Sequence, residues 1–134
     1  MNKGYLPGVF DLFHVGHLNI IRRAKERCDY LVVGVTSDHR CVERKGIAPY
    51  IPEAERLAIV SAIRYVDQVE LLDGGDKMSA WERHKYHVIF VGTDWRDSTE
   101  WRDLERSLMK VGARVEFLPY TKTTSSSILR EKLA

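Results

Sequence analysis

The sequence predicts an α/β protein: a three-layer α/β/α sandwich on a five-stranded parallel sheet. Three observations carry that expectation. Five short apolar segments, Gly4 to Phe10, Tyr30 to Thr36, Gln68 to Leu72, Val88 to Gly92 and Arg114 to Leu118, have the length and composition of strands. Between them the apolar residues recur every three or four positions, which is the period of a helix. The second segment, Tyr30-Leu31-Val32-Val33-Gly34-Val35, is a nearly unbroken apolar run, as befits a parallel strand covered on both faces.

Taken in order, the first strand leads into a helix whose buried stripe is Leu18, Ile21, Ala24 and Cys28. Asp38 to Tyr50 follows the second strand. It is polar, holds Arg40, Arg44, Lys45 and Gly46, and reads as a mobile loop. Leu57, Val60 and Ile63 mark the next helix. Pro52 stands at its start, where a missing N–H costs nothing. Ser79, with Glu82 three residues on, has the form of a capping box for a short helix before the fourth strand. Trp101, Leu104, Leu108 and Val111 trace the helix before the fifth strand, and Ser126 to Leu133 reads as a terminal helix. Strand and helix in alternation imply right-handed crossovers. Ligands of such sheets bind beyond the carboxyl ends of the strands.

Composition narrows the function classes. A chain of 134 residues and 15.5 kDa is the size of one domain, spanning 1–134, and its 44% hydrophobic content is enough for a core. Twenty-one basic residues against 19 acidic ones leave a net charge of +2, too even for a nucleic-acid or membrane-surface partner. No apolar run reaches the roughly 18 residues of a membrane span. Met1-Asn2-Lys3-Gly4-Tyr5 has no signal-peptide pattern. Cys28 and Cys41 are too few for a disulfide framework, and their spacing fits no zinc ribbon. They read as packing thiols of a cytoplasmic protein without a structural metal.

The chemistry is concentrated in Gly8-Val9-Phe10-Asp11-Leu12-Phe13-His14-Val15-Gly16-His17, where the first strand meets the first helix. Histidines three residues apart at a helix start can turn their rings to one side. Gly16 between them lets a ligand approach the backbone. The helix N-terminus adds free N–H groups and partial positive charge. Together these predict a phosphate site with two imidazole donors, His14 and His17.

Gly8 to His17 resembles the H-x-G-H nucleotidyltransferase superfamily, whose sheet is Rossmann-like. Ile63-Arg64-Tyr65-Val66-Asp67, Val91-Gly92-Thr93-Asp94-Trp95 and Leu118-Pro119-Tyr120-Thr121-Lys122-Thr123-Thr124-Ser125-Ser126-Ser127 then resemble, in the same order, the glycerol-3-phosphate cytidylyltransferase family. The resemblance implies transfer of CMP from CTP to a small phosphorylated alcohol, by in-line attack on the α-phosphorus with pyrophosphate leaving. It further implies a magnesium ion carried mainly by the triphosphate, and a homodimer. His14 and His17 would grip the triphosphate and stabilise the transition state, with Lys45 as a third catalytic group. Gly8, Val9, Phe10, Gly16, Arg64, Asp94, Trp95, Thr121, Thr124, Ser125, Ser126 and Ser127 would bind the nucleotide. Asp11, Lys45 and Lys77 would face the substrate; of the two roles open to Asp11, capping the first turn is favoured over helping to hold the magnesium ion.

The C-terminal motif departs from the family's usual Arg-Thr-x-Gly-Ile-Ser-Thr-Thr. Tyr120 stands for the arginine, Thr123 for the glycine and Thr124 for the isoleucine, so Arg64 or Lys122 would have to supply the missing cation. A second reading keeps the fold and changes the nucleotide: an adenylyltransferase acting on a sugar phosphate or a flavin. A third is a nucleotide sensor without catalysis.

Overall fold

The computed structural model describes residues 1–119 and 126–133, with the backbone alone at Ser126 and Ser127. Elements follow in the order β1 (Lys3–Gly8), α1 (Val15–Glu26), β2 (Tyr30–Thr36), α2 (Asp38–Lys45), α3 (Glu53–Ser61), β3 (Gln68–Leu72), α4 (Lys77–His84), β4 (Val88–Gly92), a 3₁₀ turn at Thr93–Trp95, α5 (Thr99–Met109), β5 (Arg114–Leu118) and α6 (Ser126–Leu133). The five strands form one parallel sheet in the order β3-β2-β1-β4-β5. This is the three-layer α/β fold that the alternating periodicity predicts.

The two faces bury separate clusters. On one side Ile20, Ile21 and Ala24 of α1 and Val60 of α3 pack on Leu6, Leu31, Val33, Val35, Val88 and Phe90. On the other, Ala80 of α4 and Trp101, Leu104 and Leu108 of α5 pack on Tyr5, Val32, Ile89, Val91 and Val115. Alternate residues of β1 and β2 thus serve opposite layers, which is why β2 reads as a continuous apolar run. No helix among the described residues is long and apolar enough to cross a membrane.

Strand order reverses between β1 and β4, and there the sheet opens. β1 pairs with β2 over its whole length, from Lys3↔Tyr30 to Gly8↔Val35, but with β4 only at Gly4↔Val88 and Tyr5↔Ile89. Pro7, which has no N–H to offer a ladder, lies in the splayed half. Such a switch point is where an open α/β sheet forms its binding crevice.

Three expectations need correction. The first strand stops at Gly8, not Phe10, because Phe10 takes a left-handed conformation (φ 58°) that no strand accommodates. Asp38 to Tyr50 is not a loop throughout. Asp38–Lys45 is helical, with the Ser37 hydroxyl accepting the Arg40 N–H (3.0 Å) at one end and Gly46 (φ 76°) closing the other. Only Cys41 of this helix is buried, so it shows almost no apolar stripe to read. Nor does Ser79 cap α4. Asp76 does, its carboxylate accepting the Ser79 N–H at 2.9 Å, and Ser79 lies inside the first turn.

Beneath α4 runs a polar chain that begins at the buried Tyr5 and ends at the exposed Arg83. The Tyr5 hydroxyl donates to Glu70 (3.1 Å), which Arg83 (2.6 Å) and His84 also engage. Burial, with the Glu70 carboxylate beside it, pushes the Tyr5 hydroxyl well above its usual range. Burial would raise Glu70, but bonds from Arg83 and His84 hold it below the ordinary carboxylate value. Tyr5 reaches Glu70 by crossing β2 at Gly34. A Cβ there would lie 2.3 Å from the Tyr5 oxygen and 2.7 Å from Leu72 Cδ1. Gly34→Ala is therefore expected to destabilise the fold by about 1–3 kcal/mol, as overpacking does. Urea denaturation measures this, and an unchanged midpoint would contradict the crossing.

Candidate active site

The crevice at the β1/β4 opening is a cavity of about 440 Å³. Gly8, Val9, Phe10 and Asp11 from the β1–α1 loop line it, with His17, Lys45, Val91, Gly92, Asp94, Trp95 and Arg130. Chain segments far apart in sequence meet here because each follows the carboxyl end of a parallel strand or, for Arg130, rides on α6.

The β1–α1 loop is locally strained. Phe10 (φ 58°) and Leu12 (φ 50°) both sit in the left-handed region, at about 1–2 kcal/mol each for residues with a Cβ. Two buried charged groups over-determine it. Asp11, 1% exposed, accepts the N–H groups of Tyr50 and Ile51 (2.9 Å each) and a bond from Arg130 (2.8 Å). Burial alone would raise its pKa, but the bonds from Arg130 and those two backbone groups hold it below the usual range. Arg56 is fully buried. Its guanidinium donates to the carbonyls of Ile51 (2.8 Å), Val9 (2.8 Å) and Thr36 (2.6 Å) and to Asp38 (2.6 Å). The loop, the end of β2 and the α2–α3 connection are thereby tied at one point. The tight turn also needs Gly8, since a Cβ there would lie 2.8 Å from the Phe10 ring.

His14 is the N-cap of α1, and its ring lies 4.1 Å from that of His17, centroid to centroid. His14 Nδ1 accepts the Gly16 N–H (3.0 Å), and His17 Nδ1 accepts the His14 N–H (3.2 Å). Part of the helix N-terminus is therefore already used within the motif. A ring nitrogen that accepts carries no proton, so these bonds assign both neutral rings their proton on Nε2. His14 Nε2 is buried and has no hydrogen-bond partner among the described residues. A buried donor without a partner is costly and calls for an acceptor from beyond the described residues.

Burial lowers the pKa of His14, and burial together with the neighbouring His14 ring lowers that of His17 to about 4. Both act as neutral donors at physiological pH. A base depressed in the folded state takes up its proton first in the unfolded chain. The stability it contributes is present above the ordinary histidine pKa of about 6.5 and is lost as pH falls from there toward 4. For His17 the loss is expected to be on the order of 3 kcal/mol, and a saturating triphosphate should reduce it by stabilising the charged ring. Chemical denaturation between pH 7 and pH 4.5, wild type against His17→Asn, tests this. Equal acid slopes in the two proteins would refute it.

Other anticipated residues fall into place unevenly. Asp94 and the half-exposed Trp95 line the rim next to β4, and Lys45 faces the cavity from the last turn of α2. Lys77 lies in a second cavity of about 290 Å³, lined by α2, α4, α5 and the loop after β3. Arg64 is a correction. It is exposed, bonded to the Tyr65 hydroxyl (3.0 Å), and precedes β3, so this chain carries it at the amino ends of the strands, away from the crevice. Thr121, Thr124 and Ser125 lie outside the described residues. Of Ser126 and Ser127 only the helical backbone is described. Among the described residues no three His, Cys, Asp or Glu side chains gather as a metal site, and Cys28 and Cys41 are free thiols.

Two site residues escaped the sequence reading. Arg130 was not singled out in the terminal helix, yet it lines the crevice and bonds Asp11. Arg56, in the first turn of α3, was not singled out either. It shares the buried face with Val60, four residues on, and an arginine on an apolar stripe was the available signal.

The description of the cytidylyltransferase-like family matches residues 5–132. The chain is 40% identical over 116 residues to the FAD synthase of Pyrococcus horikoshii, covering 84% of this chain and 77% of that protein. It is 30% identical, over 141 aligned positions, to the glycerol-3-phosphate cytidylyltransferase of Bacillus subtilis, covering 100% of this chain and 98% of that one. Among solved structures, the lipopolysaccharide core biosynthesis protein of Thermoplasma volcanium is similar with a TM-score of 0.76 at 30% identity, covering 92% of this chain and 99% of that one. The pantoate-beta-alanine ligase of Francisella tularensis shares the fold alone, with a TM-score of 0.67 at 12% identity over 97% of this chain and 65% of that one.

Proposed function

From the premise that this chain belongs to the cytidylyltransferase-like family, we propose that it transfers a nucleoside monophosphate from a nucleoside triphosphate to a small phosphomonoester, releasing pyrophosphate. The observation that carries this reading is the unpartnered Nε2 donor of His14, buried beside a crevice that also receives His17, Lys45 and Arg130. Two neutral donors and two cations suit a triphosphate better than any neutral ligand.

An acceptor phosphate oxygen attacks the α-phosphorus, a new O–P bond forms, and the bond to the bridging oxygen breaks. The attacking dianion is already nucleophilic, so no general base is required. The protein's part is to align the reactants and to meet charge developing on the phosphate oxygens. His14 and His17 donate from Nε2, Lys45 and Arg130 supply positive charge, and α1 points its N-terminus at the same place. Gly8, Val9 and Phe10 shape the loop around the triphosphate, and Gly16 fixes the His14 ring. Asp94 and Trp95 flank the nucleoside, and the Ser/Thr-rich stretch of Thr121, Thr124, Ser125, Ser126 and Ser127 meets the far phosphates. Magnesium would enter on the triphosphate and neutralise part of its charge. The carboxylate of Asp11, committed to Tyr50, Ile51 and Arg130, serves as clasp rather than ligand.

For the finer identity, CTP with a polyol phosphate is the first reading, supported by the four motifs in register and the full-length similarity to a glycerol-3-phosphate cytidylyltransferase. ATP with a phosphorylated flavin is the second. The more similar FAD synthases support it, and so does the apolar part of the second cavity's lining, Pro7, Leu72, Met78 and Leu104, which offers a polyol few partners. Pyrophosphate release, measured for four nucleoside triphosphates against glycerol 3-phosphate, sugar phosphates and flavin mononucleotide, decides between them. Tight nucleotide binding with no release across the panel would instead establish a sensor.

A further inference from the structure

Beyond Pro7, the second cavity shares no lining residue with the crevice among the described residues. That cavity lies at the carboxyl ends of β2 and β3, with Thr36 and Leu72 in its lining, and the crevice lies at those of β1 and β4. Pro7 is half-buried between them, in the middle strand of the five. Proline is out of place in a central strand, where a neighbour on each side calls for N–H donors. The ladder shows which neighbour goes without. The Asn2 carbonyl accepts the Tyr30 N–H (3.3 Å) and so faces β2, whereas the Lys3 carbonyl accepts the His87 N–H (2.8 Å) and faces β4. Backbone groups of successive residues in a strand point to opposite sides, so Tyr5 and Pro7 face β4 as Lys3 does. In the register Gly4↔Val88, an N–H at position 7 would meet the carbonyl of Phe90. Proline has none to give, and the β1–β4 pairing ends at Tyr5↔Ile89.

We propose that Pro7 is a positioning residue for nucleotidyl transfer: by withholding one rung of the β1–β4 ladder, it keeps the strands apart where the two chambers meet. This rests on the reading above, with the triphosphate in the crevice and the acceptor in the second cavity. The attacking oxygen must then cross at Pro7 to reach the α-phosphorus. Paired strands lie about 4.8 Å apart. With the missing rung made, Val91 and Gly92, which line the crevice, would be drawn against β1 and the crossing would narrow. In-line attack tolerates little displacement, and a misplacement of about 1 Å can cost a hundred-fold in rate. The pyrrolidine ring also presents no donor at the crossing, so neither phosphate is held there short of the other.

The test is Pro7→Ala in the whole protein, beside a semisynthetic chain carrying N-methylalanine in place of Pro7. Ligation of residues 1–27 to a chain beginning at Cys28 gives access to the latter. Pro7→Ala is expected to lower kcat for pyrophosphate release at least about ten-fold on the fastest acceptor of the panel above, with the KM for nucleotide within about two-fold of wild type. The amide it introduces should be protected from hydrogen exchange, as a ladder donor is. N-methylalanine, which has no N–H and no ring, should restore turnover. An unchanged kcat, an unprotected amide, or an N-methylalanine protein as slow as Pro7→Ala would each overturn the proposal. Titration of the wild type with CTP and ATP, followed at the amide of Gly16, probes the underlying reading by itself. Absence of nucleotide binding there overturns nucleotidyl transfer, whereas binding and turnover that are indifferent to Pro7→Ala overturn only the role of Pro7.

Discussion

His14→Ala is expected to lower the rate of pyrophosphate release about 100- to 1000-fold, the cost of removing one preorganised donor from a phosphoryl-transfer transition state. The alanine also gives up a helix cap, since His14 Nδ1 accepts the Gly16 N–H. Lost caps cost about 1 kcal/mol. A fall in stability of that size cannot account for a thousand-fold change in rate in a protein that remains folded. Single-turnover kinetics at saturating nucleotide, run beside thermal denaturation, separates the two effects. A variant that keeps wild-type turnover would remove His14 from the chemistry. His14→Asn, whose side-chain oxygen can cap the helix, should recover stability more than rate.

Arg56→Met is expected to be the most destabilising single change in the chain. The guanidinium is fully buried and serves three backbone carbonyls and Asp38. Methionine matches part of its volume but none of its donors, so the carbonyls of Val9, Thr36 and Ile51 lose their partner and Asp38 loses its cation. Breaking a buried, hydrogen-bonded charge pair costs about 3–5 kcal/mol. That is a large share of the 5–15 kcal/mol by which domains are stable. A Tm lower by about 10–20 °C is the corresponding signal. Activity should fall further than the folded fraction, because the strained turn at Phe10 and Leu12 is anchored through Val9. A Tm within a degree or two of wild type would show that the hub carries no such burden.

Much of this was legible in the chain. Four of the five strands lie where the apolar segments put them, because parallel strands covered on both sides leave a continuous hydrophobic signature. The β1–α1 motif was readable because its parts are adjacent in sequence: strand, turn, two histidines and helix start. Arg130 was not, since its meaning depends on which elements come together at the crevice. No local period encodes that. Helix α2 escaped because it buries almost nothing, and Ser79 misled because a stronger acceptor, Asp76, stood three residues earlier. Arg64 misled differently: its surroundings match a family motif, but it lies in the turn before β3, at the amino end of that strand.

Pro7 is the one described residue common to both chambers. A divider that thin has a practical corollary on the proposed assignment of donor and acceptor. A single ligand with a triphosphate mimic at one end and an anionic group at the other, joined by a linker that passes over the pyrrolidine ring, could lodge in both compartments at once. Its second contact would be made at the high effective concentration that tethering provides, so two weak fragments would combine into one tight inhibitor.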